Sequence, residues 1–358
     1  MSIRLALGAA VVGAAAYLAF WPIDLDPQVW APTPDPGLDA APFADAGRLT
    51  GAALIEAGGD GPEDFTLGPD GALYTGLEGG AIMRFAPGSE TPELYADTDG
   101  RPLGLEFGPD GVLYVADAYR GLLAVDQSGA VTLLSDQAAG VPIVFADDLA
   151  VIGRKVVFSD ASTKFGAKAS GALAASLLEI VEQGRTGRML EYDIDTGETT
   201  VLTEGLSFPN GVTESVGGGA VIIAETGLYR LLRIALDGPK RGAPEVLVEG
   251  LPGFPDNVER GPDGLYWVGL TSPRSPIADQ LAAYPKIRKA LFRLPSALRP
   301  GPTRHGVVIA VDDSGAVRES LQDPTGAVAM TSGALRTKDA LYIAMLTGPH
   351  FARLKMAP

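Results

Sequence analysis

The chain has 358 residues and a formal net charge of −16 at pH 7, and it contains no cysteine. The acidic balance argues against binding to nucleic acid or to an anionic membrane surface, and the lack of cysteine excludes disulfides, zinc–thiolate sites and thiol catalysis. Hydrophobic residues make up 46% of the chain, with 46 glycines and 28 prolines, so we expect a large core and many turns.

The N-terminal segment is apolar. Arg4 precedes an uncharged run over residues 5–21, and Asp24 and Asp26 follow it. A run of this length is at the short end for a membrane-spanning helix, and the flanking charges favour a cytoplasmic N-terminus. We therefore predict that residues 1–21 form an apolar helix that anchors the protein in a membrane as a single-pass signal anchor. The body would then be periplasmic or otherwise outside the cytoplasm.

A cleaved signal peptide is the alternative for this segment, because residues 14–16 are all alanine and satisfy a small-residue cleavage rule. Residues 22–45 contain six prolines and predict a stiff, extended, Pro-rich linker.

Residues 46–358 repeat one phrase and are predicted to form one domain. Gly-Pro-Asp-Gly before an apolar or aromatic run occurs at 68–74, 108–114 and 261–267, and weaker copies occur at 151–160, 216–225 and 337–345. Each copy is typical of a β-hairpin, and a second pair of apolar runs follows. Six units of four strands predict an all-β fold, a six-bladed β-propeller, in which residues 48–55 complete the last blade. Two stacked β-sandwich domains are the main alternative.

Two insertions lengthen the spacing between copies of the phrase. One covers residues 169–183 and has a helical pattern, and the other covers residues 272–289. The apolar face predicted for the first helix consists of Leu173, Leu177, Ile180 and Val181.

The turns of the repeat also locate a candidate site. The first strand of each propeller blade lines the central channel, so residues at one offset before successive turns lie at a similar height around the axis. The residues seven positions before the turns are Glu63, Leu103, Asp147, Asn210, Asp256 and Ser332, and Asp148 replaces Asp147 if the register shifts by one. Four of these six are oxygen ligands, and the only two asparagines of the chain, Asn210 and Asn257, lie at or next to this ring.

Oxygen-rich ligands without cysteine or a nearby histidine predict a hard cation such as Ca²⁺. The metal ligands would be Glu63, Asp147 or Asp148, Asn210 and Asp256, with Asn257 adjacent. Alternatively, Asn210 and the Asp256–Asn257 pair cap turns after Pro209 and Pro255.

Other polar residues near the turns have separate interpretations. Asp117, Asp160 and Glu225 recur after their turns and are expected to bond backbone amides between blades. Arg101 shares a strand face with Leu103 by alternation, so it either faces the channel and binds a substrate oxyanion or forms an outer ion pair. The two histidines, His305 and His350, fall outside the ring.

Eight phrases in order resemble the strictosidine synthase-like branch of the calcium-dependent six-bladed propellers, which is related to gluconolactonases and paraoxonases and includes the adipocyte plasma membrane-associated protein. They are GPEDF (61–65), GRPLGLEF (100–107), DAYRGLL (117–123), FSDAST (158–163), TGRMLEYD (186–193), LSFPNGV (206–212), LPGFPDNV (251–258) and LYIA (341–344). The resemblance implies calcium at Glu63, Asn210 and Asp256, with Asn257 adjacent. Where relatives carry Asn-Asp, this chain has Asp147-Asp148, so its site would be more anionic.

Two departures limit what the resemblance implies. The histidine of paraoxonases falls at Leu103, and the glutamate that drives alkaloid condensation falls near Ser332. A strictosidine synthase-type condensation is therefore not expected. Leu103, Ser332 and Arg101 remain candidate substrate-binding residues.

The leading functional prediction is a calcium-dependent hydrolase of lactones or aryl esters. Asp256 is the first candidate for the base that activates water, and Asp147 or Asp148 is the second. The alternatives are a non-catalytic propeller whose structural calcium supports binding to a protein or lipid partner, and a phosphotriester hydrolase.

Overall fold

The computed structural model describes residues 13, 16–299 and 301–357. Within this part of the chain, six four-stranded antiparallel sheets form six blades, which confirms the predicted all-β propeller and rules out two stacked sandwiches. In blades 1 to 5 the chain runs from the inner strand to the outer strand, through short turns except at the insertions in blades 3 and 5.

The strand bounds follow the repeat. Blade 1 contains β2 (Thr66–Leu67), β3 (Leu73–Gly76), β4 (Ala81–Phe85) and β5 (Pro92–Asp97). Blade 2 contains β6 (Pro102–Phe107), β7 (Leu113–Asp117), β8 (Gly121–Val125) and β9 (Val131–Ser135). Blade 3 contains β12 (Ala146–Ile152), β13 (Lys155–Asp160), β14 (Gly187–Asp193) and β15 (Thr199–Leu206).

Blade 4 contains β16 (Pro209–Glu214), β17 (Ala220–Glu225), β18 (Arg230–Ala235) and β19 (Pro244–Glu249). Blade 5 contains β20 (Gly253–Arg260), β21 (Tyr266–Pro273), β22 (Gly306–Val311) and β23 (Val317–Asp323). Blade 6 contains β24 (Thr331–Arg336), β25 (Ala340–Met345), β26 (His350–Lys355) and β1 (Ala53–Glu56). A short hairpin of β10 (Gln137–Ala138) and β11 (Val141–Pro142) lies between blades 2 and 3.

The ring closes as predicted, because a strand from the start of the domain completes the last blade. β1 pairs with β26 in the register Ala53 to Arg353 through Glu56 to His350. Residues Arg48–Gly51, which were predicted to belong to this strand, form a 3₁₀-helix instead. Closure gives the last blade its fourth strand, so that all six blades are complete.

The core lies between neighbouring blades. Each interface has its own apolar cluster; for example, Tyr114 and Leu122 of blade 2 pack with Leu149 and Phe158 of blade 3. Because a blade is covered on both faces, its middle strands are apolar on both sides, and β17 is buried along its whole length. Each large aliphatic side chain buried in this way contributes about 1.5–3 kcal/mol.

Both insertions connect the second and third strands of a blade. Blade 3 carries α1 (Ala167–Ser170) and α2 (Ala172–Glu182), and blade 5 carries α3 (Pro276–Gln280) and α4 (Pro285–Phe292). In an antiparallel blade this connection lies on the same face as the start of the first strand. The helices therefore cover the face on which the predicted ring opens.

The predicted apolar face of α2 is wrong in part. Leu173 and Leu177 are exposed, whereas Ala175, Glu179 and Glu182 are buried. The helix turns its carboxylates inward because they accept hydrogen bonds there: Glu179 accepts from Ser162 Oγ at 2.7 Å and from Thr186 N at 3.1 Å.

The N-terminal segment lies on the same covering layer. Gln28 N donates to Glu182 O at 2.7 Å, Trp30 N donates to Ala282 O at 3.4 Å, and Leu25 is buried. We call this layer the canopy; it comprises residues 16–30, α1 and α2, and the connection 274–305 that contains α3 and α4.

The predicted anchor over residues 1–21 falls mostly outside the described residues. Among the residues that are described, no helix is both long and apolar enough to cross a membrane.

Candidate functional site

The first strand of each blade breaks its pairing at the same place. The ladder between the first and second strands shifts register across residues 103–104, 147–148, 210–211, 256–257 and 332–333 in blades 2 to 6. In blade 1, Glu63 and Asp64 lie just before β2, and only Phe65 separates them from it. Such bulges release two consecutive residues from the sheet and re-aim their side chains, so each blade offers the channel a pair of residues.

The second member of each pair alternates around the ring. Blades 1, 3 and 5 carry Asp64, Asp148 and Asn257, whereas blades 2, 4 and 6 carry Gly104, Gly211 and Gly333. A Cβ on Gly104 would lie 2.2 Å from Asp148 Oδ1, and one on Gly211 would lie 2.5 Å from Asn257 Cα. Gly104 and Gly211 thus leave room for the polar residue of the next blade, whereas a Cβ on Gly333 would lie 3.2 Å from Asn257 Cβ of the preceding blade.

A carboxylate on the second strand fixes the start of the first strand in three blades. Asp117 Oδ1 accepts from Arg101 N at 3.0 Å, Asp160 Oδ1 accepts from Phe145 N at 3.1 Å, and Glu225 Oε1 accepts from Ser207 N at 2.8 Å. These residues bond backbone amides as predicted, but within their own blade instead of between blades. They fix the backbone of the residues that precede the ring positions.

The residues just before the ring positions have a strained backbone in two blades. Phe208 and Met330 have φ of 53° and 55° and stand two residues before the ring positions of blades 4 and 6, where Gly61 with φ 67° has the same place in blade 1. A left-handed backbone costs a residue with a side chain about 1–2 kcal/mol, and such strain clusters at functional sites.

The structure brings most of the predicted metal ligands together in the channel. The main-chain oxygen of Glu63 accepts from Asn257 Nδ2 at 3.1 Å and from Ser332 Oγ at 2.7 Å. Asn210 Nδ2 donates to Asp256 Oδ1. These contacts join blades 1, 4, 5 and 6 across the axis, and all five residues are buried.

Three buried oxygens at this place have no hydrogen-bond partner in the described part of the chain. They are Glu63 Oε2, Asn210 Oδ1 and Asn257 Oδ1. A buried polar atom without a partner costs about 1–3 kcal/mol, so three at one place call for a bound group that accepts oxygen ligands.

The electrostatics of the ring also favour a bound cation. Burial raises the pKa of Glu63 to about 7, and the Arg101 guanidinium partly offsets that rise. Burial, followed by the Glu63 carboxylate, raises the pKa of Asp147 and Asp256 well above the usual range. One divalent cation together with Arg101 would neutralise these three carboxylates.

Asp148 lies in a second layer, next to Asp64. Its Oδ2 accepts from Val212 N at 2.6 Å and its Oδ1 from Leu149 N at 2.8 Å, while Asp64 Oδ2 accepts from Leu105 N at 3.1 Å. Burial, followed by the Asp64 carboxylate, raises the pKa of Asp148. Asp147 therefore has the environment of the ring, and Asp148 that of the layer next to it.

Sequence reasoning missed Asp64 and the carboxylates beyond it. Burial raises the pKa of Glu106 to about 7, and burial together with Asp64, Asp148 and Glu106 raises that of Glu259. The alternating Gly104, Gly211 and Gly333 in the sequence could have indicated this second layer, because only a crowded position needs glycine in every other blade.

The three predicted substrate-binding residues differ in their surroundings. Arg101 is buried, and Nη1 donates to Gly61 O at 3.0 Å, so it lies in the channel and not in an outer ion pair. Leu103 packs in an apolar cluster with Leu25 and Phe145 under the canopy. The Ser332 hydroxyl is already bonded to Glu63 O.

The donor set of the ring fits Ca²⁺. Glu63, Asp147 and Asp256 supply carboxylates, and Asn210 and Asn257 supply carboxamide oxygens, which are the ligand types that calcium prefers. The described residues contain no group of three or more His, Cys, Asp or Glu side chains already gathered for a metal.

The histidines lie away from the ring, as the sequence indicated. His305 Nε2 is 2.9 Å from Gln322 Oε1, and His350 Nε2 is 2.8 Å from Glu56 Oε1 on the outer strands of blade 6.

Comparison with known proteins identifies the family. The family model described as strictosidine synthase matches residues 147–239, and the model of the strictosidine synthase-like N-terminal region matches residues 41–85. The human adipocyte plasma membrane-associated protein is 36% identical over 308 residues, which cover 82% of this chain and 72% of that protein. The chain belongs to the strictosidine synthase-like family. The resemblance stated from the sequence motifs is thereby confirmed.

Solved structures share the fold of this strictosidine synthase-like chain at low identity. A gluconolactonase from Xanthomonas campestris is 17% identical with a TM-score of 0.57, covering 93% of this chain and 98% of that one. The calcium-binding protein regucalcin from Agrobacterium tumefaciens is 16% identical with a TM-score of 0.55, covering 87% of this chain and 95% of that one. These likenesses establish the propeller fold.

Proposed function

We propose that the protein is a calcium-dependent hydrolase of lactones or esters. The observation that carries this proposal is the set of partnerless buried oxygens, Glu63 Oε2, Asn210 Oδ1 and Asn257 Oδ1, next to three carboxylates in a propeller channel. Structural relatives that are named as a gluconolactonase and a calcium-binding protein support the same assignment.

The metal ligands would be Glu63, Asp147, Asn210, Asp256 and Asn257. A calcium ion held there supplies Lewis-acid polarisation of a carbonyl oxygen. Arg101 lies close enough to Glu63 to influence its pKa, and its positive charge would favour the oxyanion that develops on the substrate.

Asp256 is the proposed base. Its Oδ1 accepts from Asn210 Nδ2, which orients the carboxylate and leaves Oδ2 to take a proton from the attacking water. Burial and the Glu63 carboxylate raise the pKa of Asp256 in the absence of a cation, and a bound calcium would lower it, so the free Oδ2 is the basis for this assignment. As the bond between the carbonyl carbon and the alkoxy oxygen breaks, the proton passes from Asp256 to the departing alkoxide.

The location of the protein is also proposed. The apolar segment over residues 5–21 and the acids after it favour a body held outside the cytoplasm at a membrane, and the human relative is named as plasma membrane-associated.

A non-catalytic propeller with a structural calcium is the second candidate. Two channel residues favour it, because Leu103 is packed in an apolar cluster and the Ser332 hydroxyl is already bonded within the ring. Neither side chain therefore offers a free polar group to a substrate.

The test combines metal analysis of the purified full chain with a panel of lactones and aryl esters, with calcium and after chelation. We expect bound calcium and hydrolysis that chelation removes. At saturating calcium, Asp256→Asn should lower kcat by about 100-fold or more, the effect of losing a general base. Asp339→Asn, at an exposed turn of blade 6, is the matched control and should leave kcat unchanged.

The outcomes separate the two candidates. If no substrate is hydrolysed with or without calcium and Asp256→Asn changes nothing, the hydrolase proposal is wrong. If calcium then still raises the melting temperature of the wild-type chain, the non-catalytic propeller is supported.

A further inference from the structure

We propose that the canopy is a docking surface for a bilayer that contains anionic lipid, so that the face with the channel mouth lies against the membrane. This inference concerns the canopy surface and does not depend on the hydrolase proposal.

The first observation is a concentration of exposed apolar side chains on the canopy. Of the 17 large hydrophobic residues exposed in the described part of the chain, ten lie on it, and the other seven are scattered over the propeller. The ten are Tyr17, Phe20, Trp21, Val29, Leu173, Leu177, Ile277, Tyr284, Ile287 and Leu298. An exposed apolar patch of this extent marks a surface that meets a partner or a membrane.

The second observation is the charge of the stretch around α4; the rest of the canopy also carries acidic residues, which are Asp24, Asp26, Glu179, Glu182 and Asp279. Between Gln280 and Val311 the chain has six lysines and arginines and no acidic residue, although the net charge of the whole chain is −16. Lys286 is exposed on α4 next to Ile287, and Arg304 is exposed near the end of the connection. A basic helix with apolar side chains on its outer surface is the composition that binds anionic lipid headgroups.

Two buried arginines of this layer, Arg288 and Arg293, have no carboxylate partner among the described residues, whereas Arg274 pairs with Asp279 at 2.8 Å. Arg288 donates to the main-chain oxygens of Val181, Gln28 and Ala282, so it joins α2, α4 and the N-terminal segment. Because these acceptors are neutral carbonyls, the positive charge is retained. The net charge of −16 argues against an anionic membrane for the chain as a whole, whereas this positive charge is local.

The third observation is the place where the N-terminal segment meets the canopy. Arg293 Nε donates to Trp21 O at 2.6 Å and Nη1 donates to Leu18 O at 2.8 Å. The apolar run over residues 5–21 therefore ends on this face, with Phe20 and Trp21 exposed there. Aromatic residues are enriched at the headgroup level of a bilayer. A lipid surface therefore accounts for the exposed apolar side chains, the basic stretch and the aromatic residues at the end of the N-terminal segment.

The absence of cysteine allows a direct test with single labelled cysteines. Leu177→Cys and Ile287→Cys place an environment-sensitive fluorophore on the canopy, where the native side chains are 43% and 47% exposed. Leu133→Cys and Val246→Cys are matched controls on outer strands of the propeller, at 45% and 50% exposed. Each full-length variant is reconstituted into vesicles of phosphatidylcholine, with or without phosphatidylglycerol, that carry doxyl-labelled lipid.

We expect the canopy labels to shift their emission to shorter wavelength and to be quenched by doxyl lipid several-fold more than the control labels. All four variants retain the same N-terminal segment. Because that segment is joined to the canopy, its insertion alone would also bring the canopy labels near the bilayer, so the decisive readouts are the dependence on phosphatidylglycerol and on Lys286 and Lys289. The quenching should be stronger with phosphatidylglycerol, and Lys286→Glu combined with Lys289→Glu should weaken it, whereas Lys338→Glu at a blade 6 turn should not.

Three results would overturn the proposal. Equal quenching of all four labels would mean that the canopy does not face lipid. If quenching is unchanged both by phosphatidylglycerol and by the Lys286 and Lys289 substitutions, recognition of anionic lipid is refuted. Self-quenching between protein-bound labels without quenching by doxyl lipid would mean that the surface binds a second copy of the chain.

Discussion

The channel and the canopy are built on different principles, although they lie on the same face of the molecule. The channel is periodic: each blade breaks its inner ladder at the same residue pair, and the polar groups meet because the repeat brings them to one axis. The canopy is aperiodic and comes from two insertions and the N-terminal segment, which main-chain hydrogen bonds and arginine–carbonyl contacts join together.

This difference predicts which substitutions destabilise each region. In the channel, glycine alternates with polar residues and backbones approach closely, so that even a methyl group has no room. On the canopy the outer side chains are exposed, and a small number of buried arginines hold the layer together. A small steric change should therefore damage the channel, whereas the canopy should loosen only when its joining contacts are removed.

The largest effect is expected from Gly211→Ala. The new Cβ would lie 2.4 Å from Val258 N and 2.5 Å from Asn257 Cα, and backbone atoms cannot move aside cheaply. We expect a loss of about 3 kcal/mol in the free energy of unfolding, measured by chemical denaturation. Gly217→Ala is the matched control, because its Cβ has nothing within 4 Å, and its change should stay within about 0.5 kcal/mol. Equal effects of the two variants would refute the crowding argument.

A smaller and more local effect is expected from Arg288→Ala. The change removes three hydrogen bonds from α4, to the carbonyls of Val181 in α2, Gln28 in the N-terminal segment and Ala282 between α3 and α4, at a cost of about 2 kcal/mol. Limited proteolysis should then cut residues 22–45 faster while the blades resist. Arg318→Ala, which breaks an exposed ion pair with Asp312, should cost at most about 1 kcal/mol and leave the cleavage rate unchanged. Unaltered cleavage in Arg288→Ala would show that the arginine does not hold this segment.

The effect expected from Glu106→Gln differs from the other two because it depends on pH. Burial raises the pKa of Glu106 from 4.5 to about 7, so the native state binds more protons than the unfolded state between these values. The free energy of unfolding of the wild-type protein should therefore fall as the pH rises through this window and level off above it. Glutamine keeps an acceptor for Val151 N and does not titrate.

Thermal melts in chelator should thus show Glu106→Gln more stable than wild type near pH 8 and no different near pH 5. Glu198→Gln, at an exposed turn, serves as the control and should show no pH-dependent difference. A stabilisation that is equal at both pH values would contradict the assignment of the effect to the titration of Glu106.

The propeller and its ring were predictable because both depend on local, repeated signals. A turn phrase followed by alternating residues fixes a hairpin, and a fixed offset from the turn fixes the height in the channel. Glu63, Asn210, Asp256 and Asn257 could be proposed on that basis, and the structure places them together. The choice between Asp147 and Asp148 could not be made, because a bulge changes the register without a mark in the sequence.

What the sequence alone determined is thus the set of features that recur: six blades, their closure by a strand from the start of the domain, and one channel position per blade. Only the tertiary structure decided the features formed by contacts between distant segments. Asp64 lies in the site because its carboxylate accepts a hydrogen bond from the Leu105 amide of β6. Leu173 and Leu177 face outward because the carboxylates of Glu179 and Glu182 have buried hydrogen-bond partners. Periodicity encodes a shared geometry, whereas the canopy and the second layer depend on packing between segments that share no pattern.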